Sequence, residues 1–379
     1  MNLLMQPAFW ALAVGMATLL RTDLSIRRTL FFGVLNLGCL AVLCGVKGAA
    51  LALGLATSIW GGLQVTSRGS GSGTSTRSPY GMVAALTAAF CGYRLVRGGS
   101  TGVLELLGYS YVYLRAVDAV VAVARDRQAL LDPVSLCGYL APFHALAAGP
   151  VCAYREHLTM DGAAPPDHSF EATVRDVDVI TSGLFRKFVI AEGLRICAVG
   201  VRGRLETGTF LETALLLVYV LFDFSGYSMV ALGVGRMCGV PTPPNFHAPF
   251  AATSVTEFWV RWHASMGAFV RRNVYLPLQL ALVRAVGVRR SWLASPLSLA
   301  VAFGFVGLWH RFTLPWLGWG LSLAAIMWIE KMVRDAVLGN PALAWARGRS
   351  GMALARVLGP VYVLVAVVAA LRLVARDLV

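Results

Sequence analysis

Two short stretches of this chain set histidine beside tryptophan and arginine within otherwise apolar sequence. E-F-W-V-R-W-H-A-S-M, residues 257–266, contains His263, and G-F-V-G-L-W-H-R-F, residues 304–312, contains His310. A neutral imidazole accepts a proton from a hydroxyl or thiol near neutral pH, so His310 fits a general base. Two alternatives stay open on residue types alone. His263 fits a helix lying at the membrane interface with its tryptophans at headgroup level, and His310 fits a hydrogen bond between helices.

The elements that carry these residues are predicted to be membrane helices. Of 379 residues, 57% are hydrophobic and 14% charged, with a mean hydropathy of +0.68, whereas a soluble domain carries about 25% charged residues. The recurring apolar runs predict an all-α, polytopic membrane protein with roughly ten transmembrane or re-entrant helices of about 20 residues each. These runs include residues 8–20, 30–46, 49–63, 211–220, 297–309 and 357–374.

The charge of the chain fits the same class of protein. Its net charge of +14 is explained by lysines and arginines in cytoplasmic loops beside anionic lipid. Nucleic-acid binding is not expected, because no basic surface outside the apolar runs is interleaved with stacking aromatics. The seven cysteines form no C-x-x-C pair and no metal-ligand spacing is present, so no metal site is predicted.

Two polar segments interrupt the apolar sequence. The Gly/Ser-rich segment 66–79 predicts a flexible loop, which separates N-terminal transmembrane helices in residues 1–65 from a core with a C-terminal span in residues 80–379. The segment 155–178 predicts a loop outside the membrane. Its histidines are expected to be solvated at the surface: His157 and His168.

The residues around His263 are predicted to form one helix over residues 254–272. Steps of four, four and three residues place one set of apolar side chains on a single face of this helix. On the neighbouring stripe a glycine leaves a notch one turn from the imidazole. The apolar face comprises Phe258, Trp262, Met266 and Phe269, the neighbouring stripe Trp259, His263 and Gly267, and the opposite side Arg261, Ser265 and Arg272.

Other polar groups in the sequence are less specific. D-F-S-G-Y-S, residues 223–228, fits either a polar site near one membrane face or hydrogen bonds between helices. His144 stays open between a site residue and a core residue. G-V-G-R-M-C-G, residues 233–239, lacks the spacing of a nucleotide-binding loop and predicts close helix packing.

Taken in order, these motifs resemble the membrane-bound O-acyltransferase (MBOAT) superfamily. The order is D-F-S-G-Y-S, G-x-G-R-M-x-G, P-x-N-F, S-V-T-E-F-W-V-R-W-H-A-S and G-L-W-H. The sequence is most similar to the bacterial branch typified by the membrane subunit of alginate O-acetylase and its D-alanylation relative. The resemblance extends upstream through segments 108–118, 147–151 and 183–191, and it covers residues 105 to 330.

The resemblance implies a helical fold around a central tunnel and two catalytic histidines. His310, in G-L-W-H, matches the family's central histidine, and His263, in F-W-x-R-W-H, matches its other motif histidine. The implied reaction moves an acyl group from a thioester to a hydroxyl, with His310 taking the proton. The residues expected to contact substrates are Trp259, Arg261, Trp262, Ser265, Arg271, Asn245, Asp223, Tyr227 and Trp309.

The resemblance also implies the reactants and the location. The donor is acetyl-CoA, another acyl-CoA or a carrier-protein thioester, with no bound cofactor and no metal. The acceptor is a hydroxyl of a cell-envelope or exported glycan or polymer. The expected setting is the lipid of a bacterial cytoplasmic (inner) membrane, with an extracytoplasmic partner acyltransferase on the outer face.

Two positions depart from the branch. Arg311 stands where a small residue usually follows G-L-W-H, and Arg272 stands where an acidic residue usually follows the matched arginine. Either change can recharge or narrow the site, so a member that retains only a docking role stays open. A non-catalytic transporter or polymer-export scaffold is the other alternative, against which the absence of an internal repeat counts.

Overall fold

A computed structural model gives the architecture of the protein. It describes residues 3–20, 26–68, 79–97, 107–146, 148–164, 167, 169–199, 209–287, 292–340 and 348–377. The regular elements within these ranges are helical, and the one β-type pairing there is an isolated antiparallel bridge between Phe246 and Trp262. The all-α prediction is therefore confirmed for the part of the chain that is described.

The α-helices are numbered in chain order. Helix α2 bends at Gly45, whose φ of 76° and ψ of 165° are not helical. Helix α2 reaches Arg68, and residues 69–78 of the predicted Gly/Ser loop lie outside the described ranges. The helices are α1 Pro7–Leu19, α2 Arg28–Arg68, α3 Pro79–Arg97, α4 Tyr109–Arg125, α5 Pro133–Leu140, α6 Tyr154–Leu158, α7 Phe170–Phe185, α8 Glu192–Val199, α9 Phe210–Met237, α10 Val255–Arg261, α11 Ala264–Val270, α12 Leu276–Val286, α13 Ala294–His310, α14 Leu314–Gly339 and α15 Arg349–Leu371.

Several of these helices suit a lipid bilayer. Three described segments are long and apolar enough to cross a membrane: Arg28–Val65, Phe210–Met237 and Gly351–Leu371. On α15, Val357, Val361 and Val365 are exposed at steps of four residues, so they form one apolar stripe that suits contact with lipid. The protein is therefore a multi-pass membrane protein. The count of ten helices and the central tunnel remain predictions.

The chain divides into two compact units. The first comprises residues 1–184 and 226–243, and the second comprises residues 185–225 and 244–379. Helix α9 contributes its residues up to Ser225 to the second unit and its residues from Gly226 onward to the first.

Glycines allow close helix packing in the first unit. A Cβ atom at Gly33 of α2 would lie 2.8 Å from the carbonyl carbon of Val134 on α5. A Cβ atom at Gly233 of α9 would lie 3.0 Å from the carbonyl oxygen of Asp176 on α7. The second contact confirms, at Gly233, the close helix packing predicted for segment 233–239.

A buried arginine organises the polar interior of the first unit. Arg115 of α4 is fully buried, and its guanidinium donates to the backbone carbonyls of Leu140, Ala145 and Pro150 at 3.1–3.3 Å. Buried groups that carry donors need such acceptors. The arginine therefore fixes the loop between α5 and α6, where His144 is also buried and its Nε2 lies 3.2 Å from Thr242 Oγ1.

The prediction of a solvated His157 is wrong. The predicted loop contains helix α6 and part of α7, and His157 on α6 is 2% exposed. Its ring lies 6.2 Å from that of Phe32 on α2 and 5.3 Å from that of Tyr139 on α5, measured between centroids. Helical packing against α2 and α5 thus buries a residue whose polar neighbours in sequence suggest a surface loop. His168 lies outside the described residues.

In the second unit, α13 and α14 form a closely packed hairpin. A Cβ atom at Gly307 of α13 would lie 2.9 Å from the carbonyl carbon of Trp316, and one at Gly320 of α14 would lie 2.8 Å from that of Phe303. Such approach of two backbones requires residues without a side chain. The short connection 311–313 therefore brings the start of α14 directly beside the end of α13, where His310 lies.

Candidate functional site

The single helix predicted over residues 254–272 is wrong, because the chain breaks at His263. Helix α10 ends at Arg261 and α11 begins at Ala264, with His263 in the left-handed region at φ 47° and ψ 48°. From Arg271 to Tyr275 the continuation is a π-helix. The residues of the predicted apolar face are nevertheless buried on both sides of the break: Phe258, Trp262, Met266 and Phe269.

Pairing with a distant segment explains the break. The backbone N–H of Ala264 donates to the carbonyl of Asn245 at 2.9 Å, and that of His247 donates to the carbonyl of Arg261 at 2.9 Å. The side chain of Asn245 also accepts a hydrogen bond from the hydroxyl of Ser265 at 2.6 Å. Helical hydrogen bonds are thereby replaced at the turn. Asn245 and Ser265, both predicted to contact substrate, hold the turn that presents His263.

His263 is buried and lies near two aromatic rings. Its side chain is 4% exposed, and its imidazole meets the ring of Phe224 edge-on at 4.7 Å and lies 6.5 Å from the Trp309 indole. A left-handed residue other than glycine costs roughly 1–3 kcal/mol and persists only where its surroundings determine it. A strained backbone at a buried imidazole is an arrangement often found at functional sites.

His310 lies in a cluster of three tryptophans. It is the last residue of α13 and is partly buried. Its ring stacks on Trp316 at 5.2 Å and 26°, and it meets Trp309 at 4.8 Å and Trp319 at 5.7 Å edge-on. Trp309 contacts both histidines, so the structure brings His263 and His310 to one shared indole.

Trp259 extends the cluster of Trp309, Trp316 and Trp319 into an aromatic wall. Its ring meets that of Trp319 at 5.7 Å and that of Phe303 at 5.5 Å, both edge-on. Its indole nitrogen is buried and has no hydrogen-bond acceptor within the described ranges of the chain. A buried N–H normally has a hydrogen-bond acceptor, and a substrate oxygen is one candidate for that acceptor. Trp262 instead stacks on Phe258 at 5.4 Å, in the core.

Arg261 is held by an ion pair on its own helix. Its Nη2 lies 2.6 Å from Oε1 of Glu257, and the two side chains are each 33% exposed. The backbone N–H of Thr253 lowers the pKa of Glu257, against an opposing effect of burial, and the Thr253 hydroxyl and Arg261 lower it further. Glu257 is therefore ionised at neutral pH, and it orients the guanidinium.

Glu330 of α14 anchors the start of α10. Its carboxylate accepts from the backbone N–H of Val255 at 2.5 Å, and from the N–H and hydroxyl of Thr256 at 3.0 and 2.9 Å. The first N–H groups of a helix lack partners within it, and a carboxylate there also suits the helix dipole. The anchor fixes α10, and with it Trp259.

The remaining predicted site residues are spread more widely. Asp223 of α9 forms an ion pair with Lys187, which lies in a π-helix over Arg186–Ala191. Tyr227 belongs to the first unit, where it is buried. Arg271 is exposed at the start of the second π-helix. The ring contacts described above for His263 and His310 are made by other residues: Phe224, Trp309, Trp316 and Trp319.

Sequence reasoning missed several residues that contact the site. Trp316 and Trp319 touch His310, Glu330 holds α10, and Lys187 pairs with Asp223. The spacing L-P-W-L-G-W-G soon after His310 was the available signal for the two tryptophans, because residues three apart share a helix face. Glu330 has no comparable signal, because it lies 75 positions from Val255, whose backbone N–H it binds. A contact over that distance leaves no periodic pattern in the sequence.

The site offers side chains for proton transfer and substrate contact. Among the described residues, no group of three or more His, Cys, Asp or Glu side chains is placed to hold a metal ion. The groups available for chemistry are the imidazoles of His263 and His310 and the indole N–H of Trp259, which has no acceptor among the described residues. Aromatic rings lie beside them.

The site lies in the part of the chain that matches a known family. Residues 207–354 match MBOAT, the membrane-bound O-acyltransferase family. Both histidines, Trp259 and the α13–α14 hairpin fall within this range.

Individual bacterial proteins are also similar to this chain. A probable alginate O-acetylase AlgI from Pseudomonas fluorescens is 28% identical over 62% of this chain and 46% of its own length. A teichoic acid D-alanyltransferase from Bacillus subtilis is 24% identical over 59% of this chain and 58% of its own length. A peptidoglycan O-acetyltransferase from Helicobacter pylori is 28% identical over 48% of this chain and 34% of its own length. The chain thus spans less than two thirds of the length of each of these relatives.

Proposed function

We propose that the chain, which matches the membrane-bound O-acyltransferase family over residues 207–354, is a membrane O-acyltransferase. It moves an acyl group, acetyl in the first instance, from a thioester donor to a hydroxyl of a cell-envelope or exported glycan or polymer. The observation that carries this proposal is the position of His310, which ends the apolar helix α13 among three tryptophans and shares Trp309 with His263.

In the proposed reaction, His310 acts as the general base. Its neutral imidazole accepts the proton of the acceptor hydroxyl while the hydroxyl oxygen attacks the acyl carbonyl carbon. A carbon–oxygen bond forms and the carbon–sulfur bond of the thioester breaks. The thiolate then leaves with the proton returned by the imidazolium, so that ester and thiol are the products.

Two further residues assist this reaction. Negative charge develops on the acyl oxygen during the attack, and the indole N–H of Trp259 donates to it there. Its lack of an acceptor among the described residues supports this role. His263, held by the turn that Asn245 and Ser265 fix, places the reactants beside His310. Correct placement of two reactants supplies a large part of a catalysed rate.

The donor and acceptor follow from the chemistry of the similar proteins. Their names refer to O-acetylation of alginate and of peptidoglycan and to D-alanylation of teichoic acid. We therefore assign a small acyl group, carried by acetyl-CoA or by a carrier-protein thioester, and a polymer hydroxyl. Arg271, exposed at the start of its π-helix, contacts the anionic part of the donor. The setting is a bacterial inner membrane, with an extracytoplasmic partner acyltransferase.

The proposal is tested with purified protein in lipid nanodiscs. Acetyl-CoA, longer acyl-CoAs and an acyl-carrier thioester are supplied in turn, and thiol release is measured with and without polymer acceptors. We expect release to be fastest with a short acyl group and to rise when the acceptor is present. Substrate flux across vesicles without any thiol release would instead favour a transporter.

A further inference from the structure

One carboxylate late in the chain contacts two residues that follow His310 in the sequence. Oδ2 of Asp377 accepts a hydrogen bond from the indole N–H of Trp316 at 3.0 Å. The same oxygen lies 3.3 Å from Nη1 of Arg311, the residue after His310. Asp377 therefore joins the end of α13 to the first turn of α14.

The two contacts differ in what they contribute. The ion pair is open to solvent, with side chains 53% and 32% exposed for Arg311 and Asp377, and exposed pairs of this kind contribute little. Trp316 is 5% exposed, and a buried indole N–H requires an acceptor. The hydrogen bond to Trp316 is therefore expected to contribute more than the ion pair with Arg311.

The orientation of Trp316 bears directly on His310. The imidazole stacks on this indole with an interplanar angle of 26°. A hydrogen bond at Nε1 restrains rotation of the indole about its side-chain torsions, and the stacked imidazole is restrained with it. Without the carboxylate, the indole would have to turn toward another acceptor, and its face would no longer lie against the imidazole.

We propose that Asp377 is a positioning residue for His310, acting through the indole of Trp316. The inference rests on the proposed function, in which His310 is the base. It also gives a role to Arg311, whose side chain forms an ion pair with the same carboxylate.

The test measures the reactivity of His310 without any substrate. Diethyl pyrocarbonate is applied to the purified protein, and the carbethoxylation rate of His310 is followed by peptide mass spectrometry. The exposed His247 is the internal reference. Asp377→Ala and Trp316→Phe are compared with Asp377→Asn, whose amide oxygen still accepts the indole N–H. Arg311→Ala is the control for the exposed ion pair.

We expect Asp377→Ala and Trp316→Phe each to raise the His310 rate by at least about threefold, a change at the lower end of coupling between contacting residues. The double variant should match Trp316→Phe alone, because both changes remove the same hydrogen bond. Asp377→Asn and Arg311→Ala should stay close to the wild type. A wild-type rate in Asp377→Ala, or additive effects in the double variant, would overturn the proposal.

Thioester cleavage by the same variants gives a second readout. A positioning role predicts that Asp377→Ala lowers kcat and leaves KM unchanged, and that Asp377→Asn restores kcat. Melting temperatures identify any variant that fails to fold, and Trp316→Phe removes the same hydrogen bond if Asp377→Ala does not fold. If carbethoxylation responds as expected but no variant, wild type included, cleaves a thioester, the positioning contact stands and the proposed function fails.

Discussion

The imidazole of His310 stacks on the indole of Trp316 with ring centroids 5.2 Å apart. The two residues lie on different helices, and the stack depends on how closely α13 approaches α14. That approach occurs at Gly307, three residues before His310, where the backbone of Trp316 occupies the space of a side chain. Gly307 of the G-L-W-H motif therefore allows the close approach of the two helices. This approach places Trp316 against His310.

The first prediction concerns Gly307→Ala. The added Cβ would lie 2.9 Å from the Trp316 carbonyl carbon, so the helices must separate, at a cost of about 1–3 kcal/mol. Because Trp316 moves with the helix, thiol release should fall together with the melting temperature. Gly318→Ala on α14 is the matched control, since nothing lies within 4 Å of its added Cβ. Equal behaviour of the two variants would contradict the packing argument.

The second prediction concerns Trp259→Phe. This change keeps an aromatic ring in the wall and removes the N–H that lacks an acceptor among the described residues. If that N–H donates to the acyl oxygen, kcat should fall by roughly 10²-fold, the lower end for loss of one such donor. Thermal stability should not fall. Trp292→Phe, at an indole that is 63% exposed, should leave the rate unchanged, and wild-type kcat in Trp259→Phe would remove Trp259 from the mechanism.

The third prediction concerns the backbone of His263. At φ 47° alanine is strained by roughly 1–2 kcal/mol relative to glycine. His263→Gly should therefore melt at a higher temperature than His263→Ala, and both should lose activity with the imidazole. At a helical position alanine is instead more favourable than glycine. Ala268→Gly, inside helix α11, should therefore lower the free energy of unfolding by about 1 kcal/mol. A His263→Ala variant as stable as His263→Gly would show that the turn is not strained.

Local patterns were sufficient for part of this architecture. Apolar runs predict the helices, and the spacing of Phe258, Trp262, Met266 and Phe269 predicts one apolar face, whose residues the structure buries. An apolar face of this kind can be predicted because it depends only on the spacing of residues that lie close together in the sequence. The same reasoning identified His263 and His310 as the residues to examine, because a polar group is costly in apolar surroundings.

Long-range contacts were beyond such patterns. The break at His263 comes from pairing with residues 245–247, and helical periodicity carries no information on a partner so far away. The partner of Trp316, Asp377, lies 61 positions further along the chain. His157 is buried by α2 and α5 although its own segment is polar. In each case tertiary packing overrides the local signal.

The most direct test of the account is thioester cleavage by His310→Gln beside wild type and His247→Gln. Glutamine keeps a polar side chain of similar size but cannot act as a base near neutral pH, and His247 is an exposed histidine. A placed base contributes about 10²–10⁴-fold, so thiol release by His310→Gln should fall by that factor while His247→Gln matches wild type. Wild-type release by well-folded His310→Gln would contradict the central claim that His310 takes the proton.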